Sequence, residues 1–177
     1  MFSVEQFIDD CLAAARSEAS HRLVHEVVAR AFADPAAILA ALGAPTGGQL
    51  APLYRSDELT ILNVVRKPGM TINPHNHRIW SVIGIYQGRE DNIFWRRQPG
   101  RPDGRIEAAG AQSLLAGDVT PLGQDIIHSV TNPIERLTGA IHVYGGDFFA
   151  VERSEWDSET LTERPCDIAR VRAMFES

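Results

Sequence analysis

The sequence predicts a mainly β protein, a β-sandwich or barrel fronted by a short helical segment. Three observations carry this. From Leu50 onward, short runs rich in Val, Ile, Thr, Tyr and Phe alternate with clusters of Gly, Pro, Asp and Asn, the pattern of many short strands joined by tight turns. Most of the 14 glycines and 10 prolines fall after Gly43. Before that point the apolar residues recur at helical spacing instead.

The elements follow in order. Val4, Phe7, Ile8, Cys11, Leu12 and Ala15 form one stripe of a first helix, with Ser3 as its N-cap. A second helix is expected from about Arg22 to Phe32, with Val24, Val27, Val28 and Ala31 as its apolar face. Asp34 caps a short third helix that starts at Pro35 and stops before Gly43. Strands are expected at 59–66, 79–86, 91–97, 105–109, 112–115, 126–131, 137–144 and 147–152, and a closing helix after Asp167. Forty-odd helical residues make a poor independent core, so the chain is expected to form a single domain over 1–177. Within it, 1–45 is a helical cover, 50–152 a barrel and 153–177 a C-terminal extension.

Composition narrows the function. Lys and Arg number 17 against 23 Asp and Glu, a net charge of −6, which argues against nucleic acid or an anionic membrane as the partner. No apolar run has the length of a membrane span, and the acidic first residues do not resemble a signal peptide. Cys11 and Cys166 are expected as reduced thiols of a cytoplasmic protein, a monomer or homodimer. No P-loop, G-x-S-x-G or G-x-G-x-x-G sequence is present.

The histidines carry the chemistry. His75 and His77 are two apart in Pro74-His75-Asn76-His77, and alternate residues of an extended chain share a face, so the pair can chelate one metal. Two surface histidines beside a turn have the same spacing. His128, flanked by Ile126, Ile127 and Val130, reads as buried, and a buried imidazole needs a partner for each ring nitrogen. His21 and His25, four apart on a helix with no third ligand, read as solvated. His142 and Tyr144 share one strand face with Ala140.

Residues 75–88 and 117–132 resemble the two motifs of the cupin superfamily. His75-Asn76-His77, Ser81 and Gly88 match the first. Gly117, Pro121-Leu122-Gly123, His128 and Asn132 match the second, with small length departures on either side of the Pro-x-Gly. The resemblance implies a double-stranded β-helix (jelly-roll) barrel with His75, His77 and His128 as metal ligands. Ser81 stands where most cupins place a glutamate ligand, and within the superfamily that pattern resembles the three-histidine thiol dioxygenases, the cysteine dioxygenase-type group. Ile141-His142-Val143-Tyr144 resembles that group's segment beside the metal, although Ala140 replaces the serine of its Ser-x-His-x-Tyr pattern. Tyr54-Arg55 is placed like its substrate-binding arginine.

The resemblance implies catalytic roles for Tyr144, His142 and Arg55. It implies Fe(II) as the cofactor, with Ni, Zn and Cu also suited to imidazole, and a small anionic substrate with O2 as partners. The expected function is oxidation of a small thiol to a sulfinic acid. A diketone-type C–C cleaving dioxygenase, a zinc hydrolytic site and a non-catalytic ligand-binding cupin stand as alternatives. Ser81 is expected to point at the metal, Arg66 to lie in an exposed basic turn, and Trp80 and Tyr86 to pack on the face away from the ligands.

Overall fold

A computed structural model describes residues 1–176; Ser177, the end of the 153–177 extension, lies outside the described residues. The chain runs α1 (Val4–Ala15), α2 (Ser20–Phe32), α3 (Pro35–Leu42), β1 (Gln49–Arg55), β2 (Thr60–Arg66), β3 (Thr71–His75), β4 (Ser81–Gln87), β5 (Arg89–Arg97), β6 (Ile106–Leu115), β7 (Val119–Leu122), β8 (Ile127–Thr131), β9 (Thr138–Tyr144), β10 (Ser154–Trp156), β11 (Glu163–Pro165) and α4 (Ile168–Glu176). Two antiparallel sheets form, ordered β1-β2-β9-β4-β7 and β11-β10-β3-β8-β5-β6. Apart from the β1–β2, β5–β6 and β10–β11 pairs, consecutive strands switch between the two sheets, so the barrel is a double-stranded β-helix of cupin type.

The caps act as the sequence suggests. Ser3 Oγ accepts from Gln6 N at 3.3 Å, and Asp34 Oδ1 accepts from Ala37 N at 3.1 Å. The helices cover the outer face of the first sheet, where Phe7, Cys11, Val28 and Phe32 pack with Ile61, Val82, Ile141 and Val143. Close approach requires Gly84: a Cβ there would lie 2.6–2.7 Å from the Phe32 ring. β2 and β9 are thus buried on both faces, helices on one side and barrel interior on the other.

Several boundaries differ from the sequence expectation. The strands expected at 105–109 and 112–115 are one strand, β6. The strand expected at 147–152 is a turn, because Asp147 accepts from the backbone of Phe149 through its side chain (2.9 Å) and from Ala150 and Val151 through its carbonyl. β1, β3, β7, β10 and β11 arise in segments where no strand was expected. No helix among the described residues is long and apolar enough to cross a membrane.

α4 lies over one mouth of the barrel. Its Ile168, Val171 and Phe175 pack with Ile72, Tyr144 and Phe148, so the interior at this end is closed by apolar side chains.

Candidate metal centre

Strand register brings the histidines together. His75 and His128 are cross-strand partners on β3 and β8, and a bulge between Ile72 and His75 turns His75 to the interior face that Ile72 already occupies. His77 lies beyond the end of β3 rather than on it. The turn that carries it is held by Asn76, which bonds Ser154 through both its backbone N (3.1 Å) and its Oδ1 (3.0 Å), and by Arg78 in the left-handed region at φ 60°.

One ligand nitrogen from each of the three residues lies within 4.8 Å of the others. His77 Nε2 is 3.2 Å from His75 Nε2 and 3.4 Å from His128 Nε2. Each Nδ1 is held from behind. His75 Nδ1 meets the Asn73 carbonyl at 2.8 Å, His128 Nδ1 meets Asn92 Oδ1 at 2.8 Å, and His77 Nδ1 meets Ser81 Oγ at 3.3 Å. A carbonyl and an amide oxygen only accept, so His75 and His128 carry their hydrogens on Nδ1 and present bare Nε2 lone pairs. His77 can offer at most one hydrogen to the two lone pairs that face it. A cation satisfies all three nitrogens, with the outer bonds fixing ring orientation, and so the residues present fit a divalent transition metal.

The environment keeps these imidazoles neutral. Burial pushes the pKa of His75 down to about 4, with Arg153 and Arg66 adding to the effect. Burial, then the neighbouring histidines and arginines, holds His77 and His128 well below the usual histidine range. Neutral imidazole is the metal-binding form.

Beside the triad, the Tyr144 ring stands edge-on to His77 at 5.0 Å between centroids, and its hydroxyl is 2.9 Å from His142 Nδ1. Burial raises the Tyr144 pKa, so the phenol stays protonated. A cavity of about 40 Å³ reaches from the triad to Tyr144, His142 and Arg66, closed by Phe148 of the turn and Val171 and Phe175 of α4.

Two arginines differ from expectation. Arg55 does not join the cluster: its side chain is 46% exposed and its guanidinium pairs with Asp147 at 2.8 Å and stacks on Phe149. Asp147, in the turn after β9, holds it outside the barrel. Arg66 is not in an exposed turn but is 4% exposed and paired with Glu90 inside the barrel. On β2, Arg66 shares a face with Leu62 and Val64, which pack with Tyr144 in the interior.

Arg153 escaped the sequence reading. Its guanidinium lies 4.1 Å from the Phe148 ring centroid and bonds the Phe148 carbonyl. It lines a small cavity beside His75 and also an open outer groove of about 910 Å³, and Cys166 lines both. Arg153 therefore places a cation where the outer groove and the cavity beside His75 share a lining.

Ser81 also departs from expectation. Its hydroxyl contacts the ring nitrogen of His77 that faces away from the other histidines, so it positions a ligand rather than filling a ligand slot. His21 is not solvated: its Nε2 bonds the Ser81 carbonyl at 3.1 Å and its ring stacks on Trp80 at 5.2 Å. Trp80 and Tyr86 pack against the helices as expected, with the Tyr86 hydroxyl donating to Asn63 at 2.9 Å.

No family model matches the chain. Solved structures with a similar course include an RmlC-like cupin family protein with a double-stranded β-helix fold from Methanocaldococcus jannaschii, at 10% identity over 60% of this chain and 86% of that one, TM-score 0.49. A conserved double-stranded β-helix protein from Klebsiella pneumoniae matches at 13% identity over 59% of this chain and 77% of that one, TM-score 0.43. A deletion mutant of Bacillus subtilis oxalate decarboxylase matches at 17% identity over 62% of this chain, TM-score 0.46, and the chain spans only 28% of that protein. Likeness at this level concerns the course of the backbone and says nothing of metal or substrate. By its own strand order and side chains, the protein is a cupin-type β-barrel with a candidate three-histidine metal centre.

Proposed function

We propose that the protein is a non-heme iron thiol dioxygenase that converts a small thiol bearing a carboxylate or amine, cysteine-like or a mercapto-acid, to its sulfinic acid. The observation that supports this reading best is the ligand set: three neutral imidazoles, with no carboxylate in the group and the Ser81 hydroxyl turned to the back of His77. Fe(II) held by His75, His77 and His128 would keep its full charge and supply open positions where a thiolate and O2 meet. Ni, Zn and Cu suit the same donors.

The other roles belong to the chain's own side chains. Arg153, at the junction of groove and cavity, binds the substrate carboxylate. The protonated Tyr144 hydroxyl, oriented by His142, donates a hydrogen bond to the reacting groups. Phe148, Val171 and Phe175 shield the cavity from bulk water. The small cavity suits a small substrate. The reaction balances without a reductant, since thiol plus O2 equals sulfinic acid and both oxygen atoms end on sulfur. Two unpaired cysteines agree with a reducing, cytoplasmic setting.

An oxygen electrode tests the proposal. Iron-loaded protein mixed with a panel of carboxylated and aminated thiols should consume one O2 per sulfinic acid formed. No uptake across the panel, with iron shown to be bound, refutes it and leaves the C–C cleaving, zinc hydrolytic or ligand-binding alternatives.

A further inference from the structure

Two buried side-chain polar atoms among the described residues lack a hydrogen-bond partner: Arg66 Nε and His142 Nε2. Both residues are more than nine-tenths buried, and both line the same cavity beside the histidine triad. An unpartnered donor in the interior is costly enough that such atoms call for a ligand or water. On its own strand face His142 has Ala140 as the preceding neighbour, a methyl that can bond nothing.

The remaining bonds around these atoms form two chains. The Tyr144 hydroxyl bonds His142 Nδ1 at 2.9 Å. On the other side Arg66 donates to Glu90 Oε2, Asn92 Nδ2 donates to Glu90 Oε1 at 3.0 Å, and His128 Nδ1 donates to Asn92 Oδ1 at 2.8 Å. Arg66 Nε and His142 Nε2 are the ends of these chains that lack a partner.

We propose that one ordered water bridges Arg66 Nε and His142 Nε2 and joins the two chains, making Arg66 and Glu90 positioning residues for Tyr144 and His128. Water fits on three grounds. The cavity of about 40 Å³ exceeds the roughly 10–15 Å³ that one water needs. Water accepts from the Arg66 N–H and either donates to or accepts from His142 Nε2, so it serves both tautomers. Glu90 already neutralises Arg66, which leaves no excess charge to draw an anion. Along the joined chain, Glu90 turns the Asn92 amide so that its oxygen faces His128, while Arg66 and the water hold His142 against Tyr144.

The inference rests on the metal-centre reading but not on thiol chemistry, and its test reads no turnover. Co(II) is added to the parent first. A parent that does not bind Co(II) removes the centre itself, whatever the fate of the water bridge. The water is then sought in the Co(II)-loaded parent by crystallography, with contact expected at both Arg66 Nε and His142 Nε2. A dry gap, or other partners for the two atoms, overturns the proposal.

A paired Arg66→Met, Glu90→Gln variant removes both charges together, so neither is left buried alone. Provided it retains the parent's circular dichroism, it should bind Co(II) about tenfold more weakly or worse, with shifted visible bands. Parent-like affinity and spectrum overturn the positioning role. If the variant does not fold, the parent crystal structure decides.

Discussion

Removing His128 is the sharpest test of the metal centre. His128 is 1% exposed, lies opposite His75 in the sheet, and supplies one of three converging nitrogens. A ligand that binds only the folded state stabilises it by about 2.7 kcal/mol at one hundred times its dissociation constant. For a chain of this length each kcal/mol moves the melting temperature by roughly 2–4 °C, so the parent should melt about 5–11 °C higher with such an excess of Co(II) or Zn(II). His128→Ala leaves two nitrogens and an Asn92 oxygen without its donor. Its metal-free form should already lose about 1–3 kcal/mol for that unsatisfied oxygen, so the quantity to compare is the shift on adding metal, not the absolute melting temperature. Differential scanning fluorimetry with and without metal measures it, and metal analysis after desalting gives the stoichiometry. The expected outcome is about one metal per chain and a large shift for the parent, a shift near zero for His128→Ala, and a parent-like shift for His25→Ala. A His128→Ala variant that keeps the parent's shift would refute the ligand assignment.

Other outcomes follow from single contacts. Tyr144→Phe should keep metal content but lower turnover on an active thiol by about 100-fold, read by oxygen uptake. Arg153→Ala should raise KM for a carboxylated thiol far more than for one lacking the carboxylate, whereas Arg55→Ala should leave both unchanged, because Arg55 is tied to Asp147 outside the barrel. Ser81→Ala removes the hydroxyl from His77 Nδ1 and should weaken Co(II) binding about tenfold in a competition titration. Gly84→Ala should cost about 1–3 kcal/mol in urea unfolding, since the added methyl meets the Phe32 ring.

The helices and the triad were legible because their signals are local. A capping side chain bonds a backbone N–H three residues on, and the apolar stripe of α1 recurs every turn. His75 and His77 are two apart, and His128 announces itself by its apolar flanks. The polar chain beside the triad was not legible, because its members meet only through the fold. Arg66 and Glu90 are 24 residues apart on different sheets, and Asn92 and His128 are 36 apart. β2 offered no alternation to betray which way Arg66 points, since every one of its residues is buried. Arg153 was hidden for another reason. The stretch Phe148-Phe149-Ala150-Val151 reads as strand by composition, and Asp147 turns it back through its side chain and its carbonyl.

The division of labour between the sheets explains why the polar chain lies where it does. His75 on β3, His128 on β8, and Glu90 and Asn92 on β5 all belong to the second sheet. Tyr144 and His142 on β9 and Arg66 on β2 belong to the first, which α1–α3 clamp from outside through Phe7, Val28 and Phe32. Two sheets joined only by apolar contact can slide by fractions of an ångström at little cost, because dispersion and hydrophobic burial are weakly directional. A hydroxyl that must meet groups held by the other sheet cannot tolerate that slack. Arg66 and Glu90 reach across the interior and fix the separation with a directional, charge-assisted bond. Desolvating the pair makes it a poor source of stability for its own sake. Its position, one bond from Asn92 and two from His128, is what distinguishes it from a buried ion pair elsewhere in the barrel. Registry between the tyrosine-bearing sheet and the histidine-bearing sheet is therefore the property that the Arg66–Glu90 pair supplies.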